Sequence, residues 1–164
     1  MNDQEPGMKP VKSESNELTE LVGPFYKLGA YAEYVVKKNA PNYVLGVTTP
    51  GDEADCAAAI LDDRTILKVT TEDGVNFLPV RQFMPEDAAA TLMKSLVHAF
   101  YSACENRDGT PPEWTFAAWL ALPNDHLEDM TPYDWIERTS GDNPIADKAQ
   151  LESALQASLH GWLS

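Results

Sequence analysis

The chain has 164 residues, enough for one ordinary domain with a sizeable core and too few for two full ones. Hydrophobic residues make up 43 % of it, which is a globular and not a disordered composition. Lys and Arg total 12 against 26 Asp and Glu, a formal net charge of −14, so the net field repels a nucleic-acid backbone and favours a basic partner surface.

The same acidity also serves a plain solvated surface, and composition leaves that reading open. Cys56 and Cys104 are far apart and form no C-x-x-C pair, which predicts buried free thiols in a reducing cytoplasm. No run of about 18 apolar residues and no signal-peptide pattern occurs. We therefore expect a soluble, cytoplasmic protein without a membrane span.

The first part of the chain predicts a tail followed by short elements. Residues 1–16 are polar and are expected to be disordered. A helical turn is predicted at residues 17–22, and apolar residues at three- and four-residue steps predict a helix from Pro24 to Asn39. Residues 42–48 have the composition of a strand, and residues 52–61 that of a helix with acids at its positive end.

A β-hairpin is predicted next. Thr65–Thr71 and Val75–Phe83 are two extended runs joined by Asp73-Gly74, a strong short-range hairpin signal. Pro79 lacks a backbone N–H, so we expect the hairpin to be at a sheet edge or bulged there.

The remaining chain predicts helices. Pro85–Cys104 carries one apolar stripe, and the spacing of Leu151, Leu155, Leu159 and Trp162 predicts a last helix over 145–162. We thus predict a mostly helical α+β fold, with one β-hairpin followed by a C-terminal helical bundle. Residues 17–84 and 85–164 are expected to form one compact domain.

Between these two helices lies Trp114–Arg138, which contains three of the four tryptophans. Its first helix must end at Leu122-Pro123. A second helix is predicted to begin with Thr131 as N-cap, Pro132 at its first position and a carboxylate, Asp134, at its third.

Enzyme signatures are absent from the sequence. No P-loop, G-x-G-x-x-G or G-x-S-x-G occurs. His126 lies in the acidic loop NDHLED as a single imidazole, too little for a metal site. His98 and Cys104 point in different directions on one helix, which favours a packed histidine over a Cys-His nucleophile pair. We predict no catalytic residue, no metal and no cofactor.

The remaining candidate is a protein-binding surface. Trp119, Trp135, Arg138 and Trp162 are residue types that are enriched at interface hot spots. A tryptophan-rich core is the equally weighted alternative. For Arg138 the spacing favours an ion pair with Asp134, four residues earlier.

The order of short motifs adds to this interpretation. They are Trp119-Leu120, Pro123-Asn124, Leu127, Thr131-Pro132, Trp135-Ile136 and the closing His160-Gly161, preceded by Asp73-Gly74, Phe77, Pro79 and Gln82-Phe83. This pattern, over roughly residues 65 to 162, resembles the toxin-binding domain of Xre/MbcA/ParS-type antitoxins. That family usually has a glycine in the turn after the loop leucine, where this chain has Glu128-Asp129.

The resemblance implies a partner and a mode of binding. The partner would be a RES-type toxin that destroys NAD, with the C-terminal helices covering the entrance of its active site. A site for a phosphate-rich dinucleotide is expected to be electropositive, so Asp142, Asp147, Glu152 and the chain end near Ser164 are candidate substrate mimics. His160 joins the candidate partner-binding residues through the closing His-Gly.

Other functions stay open at this point. A DNA-binding autoregulator needs a basic recognition helix, and the N-terminal half offers only Lys37-Lys38. An enzyme of unknown type needs a pocket that sequence does not reveal. An acidic interaction module unrelated to toxins would carry the same helix signals by coincidence. A homo-oligomer is compatible with each of these functions.

Overall fold

The computed structural model describes residues 20–38, 50–105, 107, 109–138 and 144–163. The predicted tail at 1–16 and the predicted strand at 42–48 lie outside these residues. The strands are β1 (Phe25–Lys27), β2 (Val69–Thr70) and β3 (Asn76–Pro79); the helices are α1 (Leu28–Lys38), α2 (Pro50–Asp62), α3 (Asp87–Cys104), α4 (Glu113–Ala121), α5 (Pro132–Arg138) and α6 (Pro144–Trp162). The predicted class, a mostly helical α+β fold, is confirmed.

The predicted helix from Pro24 to Asn39 is wrong at its beginning. Phe25–Lys27 is strand β1, and the helix begins only at Leu28. Gly23 has φ 93°, so the chain turns sharply before Pro24. The next residues are extended and pair with β3 as an edge strand of the sheet. Phe25 and Tyr26 are then buried on opposite faces of the sheet. The burial of these two rings stabilises the strand more than the helical spacing of the apolar residues stabilises a helix.

The three strands form one antiparallel sheet in the order β1-β3-β2. The predicted hairpin is confirmed as β2 and β3, and Gly74 turns it with φ 84°. The expectation for Pro79 is wrong, because β3 is the central strand and Pro79 pairs with Phe25 of β1. Missing β1 caused this error.

Gln82 repairs the hydrogen bonding that Pro79 leaves incomplete. The register Val69↔Phe77 places Leu67 opposite Pro79, which has no N–H to donate. The Gln82 side-chain amide accepts a bond from Leu67 N (2.7 Å) and donates to Leu67 O (2.8 Å) and Pro79 O (3.1 Å). A side chain thus takes the place of a peptide group at the end of the ladder.

The sheet separates two hydrophobic clusters. Phe25, Leu67, Val69 and Phe77 face helices α3 to α6, here called the C-terminal bundle. Tyr26 and Leu78 face α1 and α2, here called the N-terminal layer, where Leu28, Ala32 and Ile60 are also buried. The alternation of side chains along each strand assigns neighbours such as Phe77 and Leu78 to different clusters.

The helices of the bundle largely follow the predictions. The stripe predicted for α3 is buried, as are Leu151, Leu155 and Leu159 of α6. Cys104 is a buried free thiol, whereas the free thiol of Cys56 is only half-buried, so the expectation of burial is wrong for Cys56. Within the described part of the chain, no helix is both long and apolar enough to cross a membrane.

Candidate partner-binding surface

The loop between α4 and α5 is fixed by its own hydrogen bonds. After α4 ends, Leu122 is extended (φ −107°, ψ 146°), as the following proline requires. The Asn124 side chain accepts a bond from His126 N (2.8 Å), and Asn124 N donates to Met130 O (3.1 Å). Leu127 is fully buried. These contacts hold the loop in one conformation and leave its acidic side chains in solvent.

Two consecutive residues of this loop have left-handed backbones. Glu128 has φ 55° and Asp129 has φ 62°, a conformation that is unfavourable for residues other than glycine and, less so, Asn or Asp. Asp129 N donates to Asn124 O (3.0 Å), which closes the turn. Packing of Leu127 on one side and the start of α5 on the other therefore stabilise a strained turn.

Helix α5 begins as predicted. Thr131 Oγ1 accepts a bond from Asp134 N (3.0 Å), so Thr131 is the N-cap and Pro132 is the first helical residue. Tyr133, Trp135 and Ile136 are buried. The opposite side of the helix exposes Asp134, Glu137 and Arg138, which lie three and four residues apart and share one face.

Arg138 is held on this face by an aromatic ring and two carboxylates. Its guanidinium lies 3.9 Å from the centre of the Trp135 ring and pairs with Glu128 (3.5 Å) and Asp147 (3.7 Å). The predicted pair with Asp134 is wrong, since stacking on Trp135 directs the guanidinium toward the loop and α6. The side chain stays 44 % exposed, so an ordered cation remains available to a partner.

Arg81 is a second ordered cation that the sequence did not reveal. It follows β3, pairs with Asp134 (3.3 Å) and Glu137 (3.2 Å), and lies over the Tyr133 ring at 4.5 Å. More than 50 residues separate Arg81 from these carboxylates along the chain. No local pattern marks such a contact, because it depends on how the sheet packs against α5.

Helix α6 is fastened to the same loop and helix. Trp135 Nε1 donates to Asp147 O (3.0 Å), and Gln150 Nε2 donates to His126 O (2.6 Å). Asp147 is therefore tied to both Trp135 and Arg138, whereas Glu152 pairs with Lys148 (3.8 Å) on the same helix. Asp142 lies outside the described residues. The structure brings Trp135, Arg138 and Asp147 together among the predicted site residues.

The predicted residues Trp119 and Trp162 meet elsewhere in the bundle. Trp119 is 8 % exposed, and the half-buried Trp162 packs edge-on against it with ring centres 6.2 Å apart. Trp135 is likewise buried. All three rings contribute mainly to the core, so their effect on a partner surface would be through the groups they support. His160, near Trp162, is exposed.

A polar cluster of Lys68, Tyr101 and Glu113 joins the sheet to the bundle, and no local sequence pattern predicts it. Lys68, on β2's N-terminal side, is 6 % exposed, and its ammonium donates to Ile60 O (3.2 Å) and Asp63 O (2.5 Å) at the end of α2. The Tyr101 hydroxyl accepts from Lys68 N (3.1 Å) and donates to Glu113 Oε2 (2.5 Å). The three residues come from separate parts of the chain, which explains why local patterns miss the cluster.

Burial dominates the titration of this cluster. It lowers the pKa of Lys68, against the attraction of Glu113, and raises the pKa of Glu113, against the hydrogen bond from Tyr101. The pKa of Tyr101 is raised by burial and by the neighbouring Glu113 carboxylate. Among the described residues, no group of three His, Cys, Asp or Glu side chains is placed to hold a metal ion.

The outer surface of the bundle around α5 is acidic. Arg81 and Arg138 are cations on this surface, and each is paired with two carboxylates. Asp125, Glu128, Asp129, Asp134 and Glu137 are all exposed. The surface can therefore attract a basic protein face, and Glu128, Asp134 and Glu137 are held by ion pairs before they meet one.

Comparisons of the chain with protein-family models, curated proteins and solved structures find no match.

Proposed function

We propose that this protein binds another protein through its C-terminal bundle and acts as an antitoxin that neutralises a RES-type, NAD-degrading toxin by covering its active site. The partner identity rests on the motif resemblance. The observation that carries the binding role is the outer face of α5, where Arg138 is stacked on Trp135 and fixed between Glu128 and Asp147. An ordered arginine loses little freedom on binding.

The turn at Glu128-Asp129 also supports the proposal. The resembled domain usually has glycine there, and this chain adopts the left-handed conformation that glycine favours. The departure in sequence is thus accompanied by the backbone geometry that a glycine-containing turn would have. The position between the buried Leu127 and the N-cap Thr131 agrees with the order of the motifs.

The first experiment co-expresses the chain with the product of the neighbouring gene and measures growth, cellular NAD and co-purification. Growth rescue with preserved NAD and a stable complex is the expected result. A harmless neighbour that does not co-purify would contradict the toxin assignment. Binding to DNA by the purified chain, without such a complex, would favour the autoregulator instead.

The surface is then tested by substitution in that complex. Arg138→Ala removes an ordered interface cation and is expected to weaken binding by about 2 kcal/mol, roughly thirtyfold in Kd. Arg64→Ala is the matched control, because Arg64 is similarly exposed (45 %) and forms one ion pair with Glu105 (3.0 Å) away from α5. Equal Kd values for the two variants would exclude the α5 face.

The substrate-mimic hypothesis is tested by substitutions that remove a negative charge and keep the size of the side chain. Truncation near residue 158 would remove the buried Leu159 and thereby damage the core. Asp142→Asn and Glu152→Gln each replace a carboxylate by an amide of nearly the same size and so remove one negative charge each. We expect weaker inhibition of NAD cleavage with a salt-dependent Kd, whereas unchanged inhibition by the double variant would refute mimicry.

A further inference from the structure

The ammonium group of Lys68 is enclosed at the end of α2. Lys68 is 6 % exposed, and its Nζ donates to two backbone carbonyls there, Ile60 O (3.2 Å) and Asp63 O (2.5 Å). The ring of Tyr101, from α3, also faces the ammonium, with its centre 4.8 Å from Nζ. A positive charge therefore lies between a helix of the N-terminal layer and a helix of the C-terminal bundle.

This charge has no anionic partner at bonding distance. The ion pairs among the described residues do not include Lys68. Three carboxylates act on it from farther away, those of Glu113 on α4 and of Asp62 and Asp63 at the end of α2, and the cation Arg64 opposes them. Two neutral carbonyls and a ring replace the lost hydration only in part, so burying the charge is costly.

The pKa of Lys68 agrees with this geometry. Burial lowers the pKa, and this effect outweighs the attraction of the Glu113 and Asp63 carboxylates, which raises it. The side chain under α2 therefore binds its proton less tightly than the same side chain does in water. The cost of the buried charge is fully present below the lowered pKa, and it disappears as the pH rises toward the ordinary pKa of lysine.

Helix α2, which covers the charge, is held loosely. Of the side chains of residues 52–62, only that of Ile60 is buried. Just beyond the helix, Arg64 pairs with Glu105 at the end of α3 (3.0 Å), but both side chains are exposed, so this ion pair contributes little. The end of α2 can thus leave the bundle at a small cost while α3 stays folded.

We infer that Lys68 is a conformational device that favours opening of the N-terminal layer at neutral pH, because its ammonium returns to water when the end of α2 lifts. The backbone of Lys68 remains on the bundle side, where its N–H donates to the Tyr101 hydroxyl (3.1 Å). Opening uncovers the face of the sheet that carries Tyr26 and Leu78. The inference goes beyond the proposed function and does not depend on any toxin.

The test removes the charge and nearly keeps the volume of the side chain. Lys68→Met and the parent chain are compared by hydrogen exchange at neutral pH, as protection factors of the amides in α1, α2, α3 and α6. We expect protection in α1 and α2 to rise about tenfold, since an apolar group in place of a buried charge stabilises the closed layer. Protection in α3 and α6 should rise as well, because global unfolding also hydrates Lys68.

Two results of this comparison would overturn the inference. Lower protection in α1 and α2 would show that the bonds of the ammonium hold the layer in place. A rise confined to α3 and α6 would show that the charge stays covered when the layer opens.

Lys94→Met is the matched control. Lys94 is an exposed lysine of α3, and its charge acts on the Asp63 carboxylate as that of Lys68 does. The control loses the same charge without relieving any burial, so its protection factors should equal those of the parent. An equal rise in the control would assign the effect to net charge and overturn the inference.

The pH dependence separates the charge from packing. The difference between Lys68→Met and the parent should shrink as the pH rises from about 7 to about 10, because the parent then loses its buried charge. A difference that does not change with pH would be a packing effect and would overturn the inference. If Lys68→Met does not fold, Lys68→Gln, which is also neutral, is measured by the same criteria, and failure of both to fold would show that the fold requires the charge.

Discussion

The two sides of the sheet differ in how completely they are packed. On the bundle side, Phe116 is stacked between Phe100 (ring centres 4.3 Å apart) and Trp119 (5.8 Å), all deeply buried. On the other side, Tyr31 stacks on Phe83 at 4.8 Å, yet both rings remain partly exposed. The N-terminal layer is thus the less completely packed side, and we expect it to unfold locally at a lower free energy than the C-terminal bundle.

The strongest test of this comparison is Phe116→Ala. The substitution leaves a cavity between two rings, with an expected loss of about 3–5 kcal/mol in the free energy of unfolding. Denaturant titration should show it as an earlier midpoint with the slope retained. Thr115→Ala, at an exposed neighbour, is the control; similar losses for both would contradict a bundle-centred core.

In the N-terminal layer, Ile60→Ala should act more locally. Ile60 is 6 % exposed and packs with Leu28 and Ala32, so we expect a loss of about 2 kcal/mol. Hydrogen exchange should speed up in α1 and α2 while α3 and α6 keep their protection. Uniform loss of protection across both sides would mean that layer and bundle open together.

Gln82 lies at the border of the two regions, and its loss should be felt in the hairpin. Gln82→Ala leaves Leu67 N and O without partners in a buried site, with an expected loss of about 1–3 kcal/mol. Gln150→Ala removes an exposed amide that bonds His126 O and should change thermal stability little. Equal melting temperatures for these variants would refute the role assigned to Gln82.

The strained turn offers a gain instead of a loss. Asp129→Gly relieves a left-handed backbone at φ 62°, and we expect about 0.5 kcal/mol of added stability after the entropy of glycine is subtracted. Asp125→Gly, in the neighbouring 3-10 turn, should destabilise by a similar amount. Chemical denaturation of the pair decides, and a loss at both positions would show that Asp129 is unstrained.

A small effect at neutral pH is expected for Tyr133→Phe. Tyr133 is fully buried, and its hydroxyl has no hydrogen-bond partner among the described residues, so its removal should change stability by less than about 1 kcal/mol. Burial raises the pKa of Tyr133. The folded state therefore keeps the Tyr133 proton to a higher pH than the unfolded state does. The stability that this difference contributes is fully present below about pH 10, the pKa of an unfolded tyrosine, and falls as the pH rises further. Melting curves should show a shallower alkaline decline in the variant, whereas identical declines would place the responsible tyrosine elsewhere.

Predictions of secondary structure from the sequence are confirmed at three places where all the determining residues are close together in the chain. The stripe of α3, the Asp-Gly turn of the hairpin and the cap at Thr131 are local patterns, and each is confirmed. The prediction failed at Phe25–Lys27, where pairing with β3 decides the conformation. The surface around α5 was predicted only in part, since the partners of Arg138 depend on how Trp135 packs between the loop and α6.

The side-chain bonds of Gln82 also bear on how the chain avoids misfolding. A slip of β3 by one residue would move Phe77 and Leu78 each into the other's cluster, with apolar side chains still inside. Hydrophobicity alone therefore discriminates weakly against the slipped pairing. The Gln82 amide can form hydrogen bonds with both backbone groups of Leu67 in only one alignment of the strands. These bonds therefore favour the native register over the slipped one.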